Sequence, residues 1–229
     1  MRKVRMEKKI LVANEEYASA NRMFLAGRKM PCLNMISSPG SGKTTILART
    51  IRELQGRVRI GVIEGDIQTD FDAQRIRTAG APAVQINTDG ACHLSAVQVS
   101  NAFHKLPVDK LDLIFIENVG NLVCPSAFDL GETAKIAVVS IPEGDDKPAK
   151  YPAIFARAAA VLINKIDLLG VADFDVEKVE ADVLKLNSHA RIFHISAKTG
   201  EGMDQWYCWL EELIRNSRPQ QTTAGSIIP

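Results

Sequence analysis

Short apolar runs alternate with stretches whose apolar residues recur at helical spacing. The runs fall at 32–37, 58–63, 83–86, 111–117, 136–141, 159–163 and 191–195, and read as strands. Between them, 44–54, 70–79, 93–105, 176–187 and 203–216 read as helices. Strand-helix alternation of this kind predicts an α/β domain with a mainly parallel β-sheet flanked by helices. A further amphipathic helix is expected over about 14–29, ahead of the first strand. The ending 218–229, rich in Pro, Gln, Thr, Gly and Ser, reads as a frayed tail. The organisation predicted is an N-terminal helical segment at 1–30, one sheet-containing domain at 31–216, and a disordered tail at 217–229. The chain shows neither an internal repeat nor a second domain.

Composition narrows the function more than the fold. At 229 residues and 46% hydrophobic content, the chain can bury a large core as one domain. The formal net charge is +1 and no basic stripe stands out, so nucleic acid is not an expected partner. No window is apolar enough to span a bilayer. The basic start, 1–9, is followed by Asn14, Glu15 and Glu16 rather than by a secretory apolar core. Four cysteines at 32, 92, 124 and 208 form no Cys-x-x-Cys pair and no disulfide framework, which fits a reducing cytoplasm.

Two separated motifs carry the chemistry. Residues 37–44 read Ser-Ser-Pro-Gly-Ser-Gly-Lys-Thr, one glycine short of the usual phosphate-binding loop because Ser37 stands at its first position. The core Gly40-Ser41-Gly42-Lys43-Thr44-Thr45 is intact. In such a loop backbone N–H groups cradle phosphate oxygens, Lys43 reaches the β- and γ-phosphates, and Thr44 offers a hydroxyl to Mg²⁺. Far downstream, 164–167 read Asn-Lys-Ile-Asp. The Asp167 carboxylate can accept from N1–H and the exocyclic amine of guanine, whereas adenine presents no matching pair of donors. Asn164 can bond the base or the neighbouring loop, and the stem of Lys165 can cover the ring. Ser196-Ala197-Lys198, after the last apolar run, has the place of a backbone loop over guanine O6. In order, the two motifs predict a P-loop GTPase domain binding GTP and GDP.

In parallel sheets ligands sit beyond the carboxyl ends of the strands. Two acidic loops are expected there, Glu64-Gly65-Asp66 and Glu117-Asn118-Val119-Gly120. Glu117 is a candidate water-mediated carboxylate for Mg²⁺, and Asp66 either joins the metal shell or orients the attacking water. The catalytic set is then Lys43, Thr44, Asp66 and Glu117, with hydrolysis resting on positioning and charge stabilisation at the γ-phosphate. Cys92-His93 and Cys124 also follow carboxyl ends of strands, and thiolate with imidazole suits Ni²⁺ or Zn²⁺. Cysteine is often a small buried hydrophobe and a lone histidine often a helix N-terminal residue, and packing is the role expected of Cys32 and Cys208.

Taken in order, Ser37 to Thr44, Glu64-Gly-Asp66, Cys92-His93-Leu94, the run from Phe115 to Pro125, Glu143-Gly-Asp-Asp-Lys-Pro148 and Asn164-Lys-Ile-Asp167 resemble the HypB family of hydrogenase nickel-incorporation GTPases, of the SIMIBI class. Ser37 is the residue that resemblance leads one to expect. It implies that Cys92, His93 and Cys124 form a metal site shared across a GTP-promoted homodimer. It further implies delivery of Ni²⁺ toward the [NiFe]-hydrogenase large subunit with a HypA-type nickel chaperone, and a reach of Lys147 or Lys150 across the dimer. This sequence carries neither an amino-terminal Cys-rich motif nor a His-rich tract, so transient nickel handling is implied. A UreG-like urease-maturation GTPase would carry Cys-Pro-His, whereas Ser126 follows Cys124-Pro125 here. A small-metabolite kinase would share the phosphate loop but not the guanine motif.

Overall fold

The computed structural model describes residues 2–66 and 70–218, with side chains from residue 12 onward. Seven strands form one sheet in the order β3-β2-β4-β1-β5-β6-β7, and every neighbouring pair is parallel. They are β1 Cys32–Ser37, β2 Ile60–Asp66, β3 Ala83–Asn87, β4 Leu113–Glu117, β5 Ala134–Ser140, β6 Ala158–Asn164 and β7 Arg191–Ile195. The helices are α1 Arg2–Gly27, α2 Lys43–Glu53, α3 Phe71–Ala79, α4 Ala96–Phe103, α5 Cys124–Ala127, α6 Lys147–Lys150, α7 Pro152–Phe155, α8 Val176–Leu186 and α9 Met203–Ser217.

Side-chain alternation along the strands divides the core into faces. Leu33 and Met35 of β1 join Leu113, Phe115, Ile136 and Val138 under α2, α3 and α9. Cys32, Ile114 and Ile116 point the other way, toward α1 and α4. Ile36, Ala137, Val139 and Val161 share that second face but belong to a separate cluster under α7 and α8. Helices therefore cover both faces, as the alternation predicts.

Several boundaries move, each for a local reason. Helix α1 begins well before residue 14, and its buried stripe of Asn14, Ala18, Asn21 and Leu25 is half polar. Both asparagines bond main chain: Asn14 donates to Asp129 O (2.7 Å), and Asn21 to Ala96 O and Leu130 O (2.9 Å each). Helix α4 starts at Ala96 because Ser95 and Gln98 close a capping box, leaving Cys92-His93-Leu94 as loop. Strand β2 runs on through Glu64-Gly65-Asp66, so that acidic triplet is strand end rather than loop. Helix α9 reaches Ser217, and Arg218, expected to fray, bonds Asp112. The rest of the expected tail, 219–229, lies outside the described residues. No helix among the described residues is long and apolar enough to cross a membrane.

Candidate nucleotide and metal sites

The phosphate loop joins β1 to the N-terminus of α2, where unpaired N–H groups and the helix dipole favour an anion. Gly42 is the N-cap with φ 100°, and a Cβ there would lie 2.5 Å from Asn164 Nδ2, so only glycine fits. Ser37 lies fully buried beneath the loop. Its hydroxyl accepts from Lys43 Nζ (2.9 Å) and Ser41 Oγ (2.5 Å). The departure from the usual glycine is thus a bracket for the lysine. Gly40, Lys43, Thr44, Asp66 and Glu117 line one cavity of roughly 430 Å³. Arg75 of α3 lines it too and donates to Thr45 Oγ1 (3.0 Å).

Parallel register places Glu64 of β2 directly beside Glu117 of β4. Both are buried, at 1% and 5% exposure. Thr44 Oγ1 donates to Glu117 Oε1 (2.8 Å), while Glu117 Oε2 and Glu64 Oε1 accept no hydrogen bond. Burial, then the neighbouring Glu117, push Glu64 well above the usual carboxyl range. Burial also raises Glu117, although Lys43 and Thr44 oppose it. Buried oxygens left without a donor, beside a threonine hydroxyl and Asp66, fit a hard divalent cation such as Mg²⁺. Asp66 and Glu117 were the acidic residues expected here; Glu64 joins them because strand register, which motif spacing does not reveal, sets it beside Glu117.

The second motif closes the opposite side of the phosphate loop. Asn164 Nδ2 donates to Ser41 O (2.8 Å) and its Oδ1 accepts from Ala197 N (3.1 Å). The loop contact open to Asn164 is made by both polar atoms of its amide. It pins the phosphate loop to the loop at 196–198. Lys165, at φ 65°, donates its ammonium to Gly40 O (2.7 Å). Asp167 Oδ1 accepts from Ser196 Oγ (2.6 Å). Arg49 of α2 was missed from sequence; it donates to the carbonyls of Ala197 (3.3 Å), Lys198 (3.2 Å) and Thr199 (3.2 Å), fastening the loop from below.

The loop before α4 and the start of α5 meet at a second cluster. The ligand atoms of Cys92, His93 and Cys124 lie within 4.8 Å of one another, with Cys92 Sγ 3.4 Å from His93 Nδ1. The His93 ring packs on Phe128 at 3.8 Å between centroids, and Asn121 Nδ2 donates to Cys92 O (3.3 Å). A hydrogen bond with Cys124 raises the Cys92 thiol, and burial lowers His93, which favours the neutral imidazole that ligates. Two sulfurs and one imidazole at this spacing suit a borderline-soft ion. Gly65 makes room beneath: a Cβ there would meet Leu94 Cδ1 at 2.8 Å. Cys32 is buried as expected, but Cys208 is exposed, because the buried stripe of α9 runs through Met203, Trp206, Tyr207, Leu210 and Ile214.

Comparisons with known proteins converge on one family. Residues 31–194 match the family described as "CobW/HypB/UreG, nucleotide-binding domain". The hydrogenase maturation factor HypB of Escherichia coli K12 is 52% identical over 210 residues, covering 92% of this chain and 72% of that one. The crystal structure of HypB from Helicobacter pylori in complex with nickel is 41% identical with a TM-score of 0.85, over 89% of this chain and 96% of that one. The hydrogenase maturation factor HypB from Archaeoglobus fulgidus is 38% identical with a TM-score of 0.83, over 89% and 100%.

Proposed function

Because this chain belongs to the CobW/HypB/UreG family, in its HypB branch, we propose that it is a GTP-hydrolysing metallochaperone assisting nickel insertion during [NiFe]-hydrogenase maturation. The observation that carries this reading is that one chain brings the Asp167 carboxylate, the loop 37–44 and a Cys-Cys-His cluster to the carboxyl ends of the strands of one sheet. Asp167, held by Ser196, selects guanine, and the loop 196–198 closes over it. Lys43 leaves Ser37 for the β- and γ-phosphates. Thr44, Glu117, Asp66 and Glu64 form the acidic and hydroxyl wall that would hold Mg²⁺, which would supply charge neutralisation at the phosphates. Asp66, at the strand end, orients the attacking water.

Nickel is cargo in this scheme. Cys92, His93 and Cys124 supply three donors from one chain, and a second copy in a GTP-promoted homodimer completes or passes on the ion. Lys150 is engaged by Asp146 at 2.5 Å, so Lys147, beside the Tyr151 ring at 5.8 Å, is the better candidate to reach across that dimer. The remaining partners are a HypA-type nickel chaperone and the hydrogenase large subunit.

Phosphate release with GTP and with ATP, each with and without Ni²⁺, tests the reading. GTP should be the preferred substrate, and Lys43→Ala should nearly abolish release. Equal turnover of ATP and GTP, or full turnover by Lys43→Ala, would overturn it.

A further inference from the structure

On the face of the sheet that carries α1, α4, α7 and α8, the two apolar clusters do not merge. A polar seam runs between them. Asn34, in the middle of the central strand β1, is fully buried, and register sets it beside Lys135 of β5 and Ile116 of β4. Its Nδ2 donates to Glu132 Oε1 (3.1 Å) and its Oδ1 accepts from Asn118 Nδ2 (3.2 Å). Glu132 also accepts from Leu130 N (2.6 Å) and pairs with Lys135, their side chains only 4% and 12% exposed.

Both ends of this chain of side chains stop at main-chain groups beside the Cys92, His93 and Cys124 cluster. At one end Asn118 Oδ1 accepts from Leu94 N (3.2 Å), the residue after His93. At the other, Lys135 Nζ donates to Phe128 O (2.8 Å) and Pro125 O (3.3 Å), which bracket the turn opened by Cys124. Phe128 is also the ring on which His93 rests. The same Asn118 Oδ1 accepts from Val119 N (3.0 Å), inside the segment that runs from Glu117, bonded to Thr44, to Gly120, packed on Pro39 of the phosphate loop. One carbonyl oxygen therefore holds both the metal-bearing loop and the segment that meets the nucleotide.

Stability alone does not call for such a seam. A buried ion pair with its attendant amides can be replaced by apolar side chains of similar volume with no loss, and often with a gain. What a fully satisfied polar chain adds is a fixed geometry. We propose that Asn34, Asn118, Glu132 and Lys135 are positioning residues that hold the two halves of the Cys92–His93–Cys124 centre in register and transmit the nucleotide state to it. The proposal rests on the metal-centre reading above.

The test is nickel titration of the full chain, bound to GDP or to a non-hydrolysable GTP analogue, followed by the thiolate-to-nickel charge-transfer band. The principal variant is E132Q/K135M, which removes both charges together so that neither is left buried alone; N34A, which cuts the link between Glu132 and Asn118 and leaves the ion pair intact, is the second variant should the pair fail to fold. Either folded variant should bind GTP as wild type does. Its nickel affinity should fall about 10- to 100-fold, the range for groups that orient metal ligands. The charge-transfer band should weaken, and the difference in affinity between the two nucleotide states should shrink. Unchanged affinity, band and nucleotide dependence in a folded variant would overturn the proposal. C92A/C124A separates the two levels: wild-type nickel binding by that variant would remove the centre itself, whereas its loss alongside an unaffected E132Q/K135M would sink the seam alone.

Discussion

Gly42→Ala is the sharpest single test of how the phosphate and base loops are joined. Gly42 sits at φ 100°, and holding an L-residue in that left-handed region costs about 1–2 kcal/mol. The added Cβ would also lie 2.5 Å from Asn164 Nδ2, far inside contact distance, with Asn164 itself 2% exposed and unable to swing into solvent. Displacing that amide breaks its bonds to Ser41 O and Ala197 N, each worth about 0.5–1.5 kcal/mol net when buried. The sum is about 2–5 kcal/mol. Urea denaturation of nucleotide-free protein measures it, with Gly40→Ala as control. Gly40 is also left-handed, at φ 76°, but a Cβ there meets nothing within 4 Å, so about 1–2 kcal/mol of strain is its whole cost. Combining Gly42→Ala with Asn164→Ala should be non-additive by about 0.5–3 kcal/mol, since the second change removes the group that the first one strikes. A Gly42→Ala loss equal to that of Gly40→Ala, or a strictly additive cycle, would refute the argument.

Three further outcomes follow from the same geometry. Asp167→Asn should weaken GTP roughly 10- to 100-fold, one charge-assisted hydrogen bond lost, and improve xanthosine triphosphate relative to wild type; competition binding decides, and an unaltered ratio refutes it. Glu64 is raised in the native state, so that state holds a proton the unfolded chain releases. Its favourable contribution is complete below the unfolded value of about 4.3 and is lost as pH rises toward the native one. Glu64→Gln should therefore gain melting temperature on wild type as pH rises, and need more Mg²⁺ to bind GTP; parallel melting profiles would count against it. Arg49→Ala frees three carbonyls of the base loop and should lower GTP affinity about tenfold, as calorimetry would show. Wild-type affinity would mean that the loop needs no such fastening.

The parts of the site that were legible in sequence are those whose geometry is encoded within a few consecutive residues. Gly40 and Gly42 adopt positive φ where the phosphate loop requires it, and Lys43 and Thr44 follow at the start of α2. Asn164, Asp167 and the turn at 196 lie at adjacent strand ends, and the acidic residues sit at the ends of β2 and β4. Apolar runs sufficed for the five inner strands because burial on both faces leaves no polar alternation to misread, and the half-exposed edge strands β3 and β7 still carry enough apolar residues to be read. The start of α4 was also readable, from Ser95 and Gln98, although the apolar pattern placed it at 93.

Tertiary structure decided what depends on strand order and on facing side chains. Neither Glu64 beside Glu117 nor Asn34 beside Lys135 follows from either segment by itself, since each needs the register between parallel strands distant in sequence. The same holds for Arg49 under the base loop, Arg218 on Asp112 and the exposure of Cys208. Cys92-His93 and Cys124 were nameable as candidates, but that their ligand atoms converge within 4.8 Å was fixed by the helix cap and the loops that deliver them. Local sequence sets which backbone conformations a segment can adopt; which charges and ligands then meet is set by packing, because only the assembled sheet brings distant carboxylates and thiols together and withdraws the water that would otherwise solvate them.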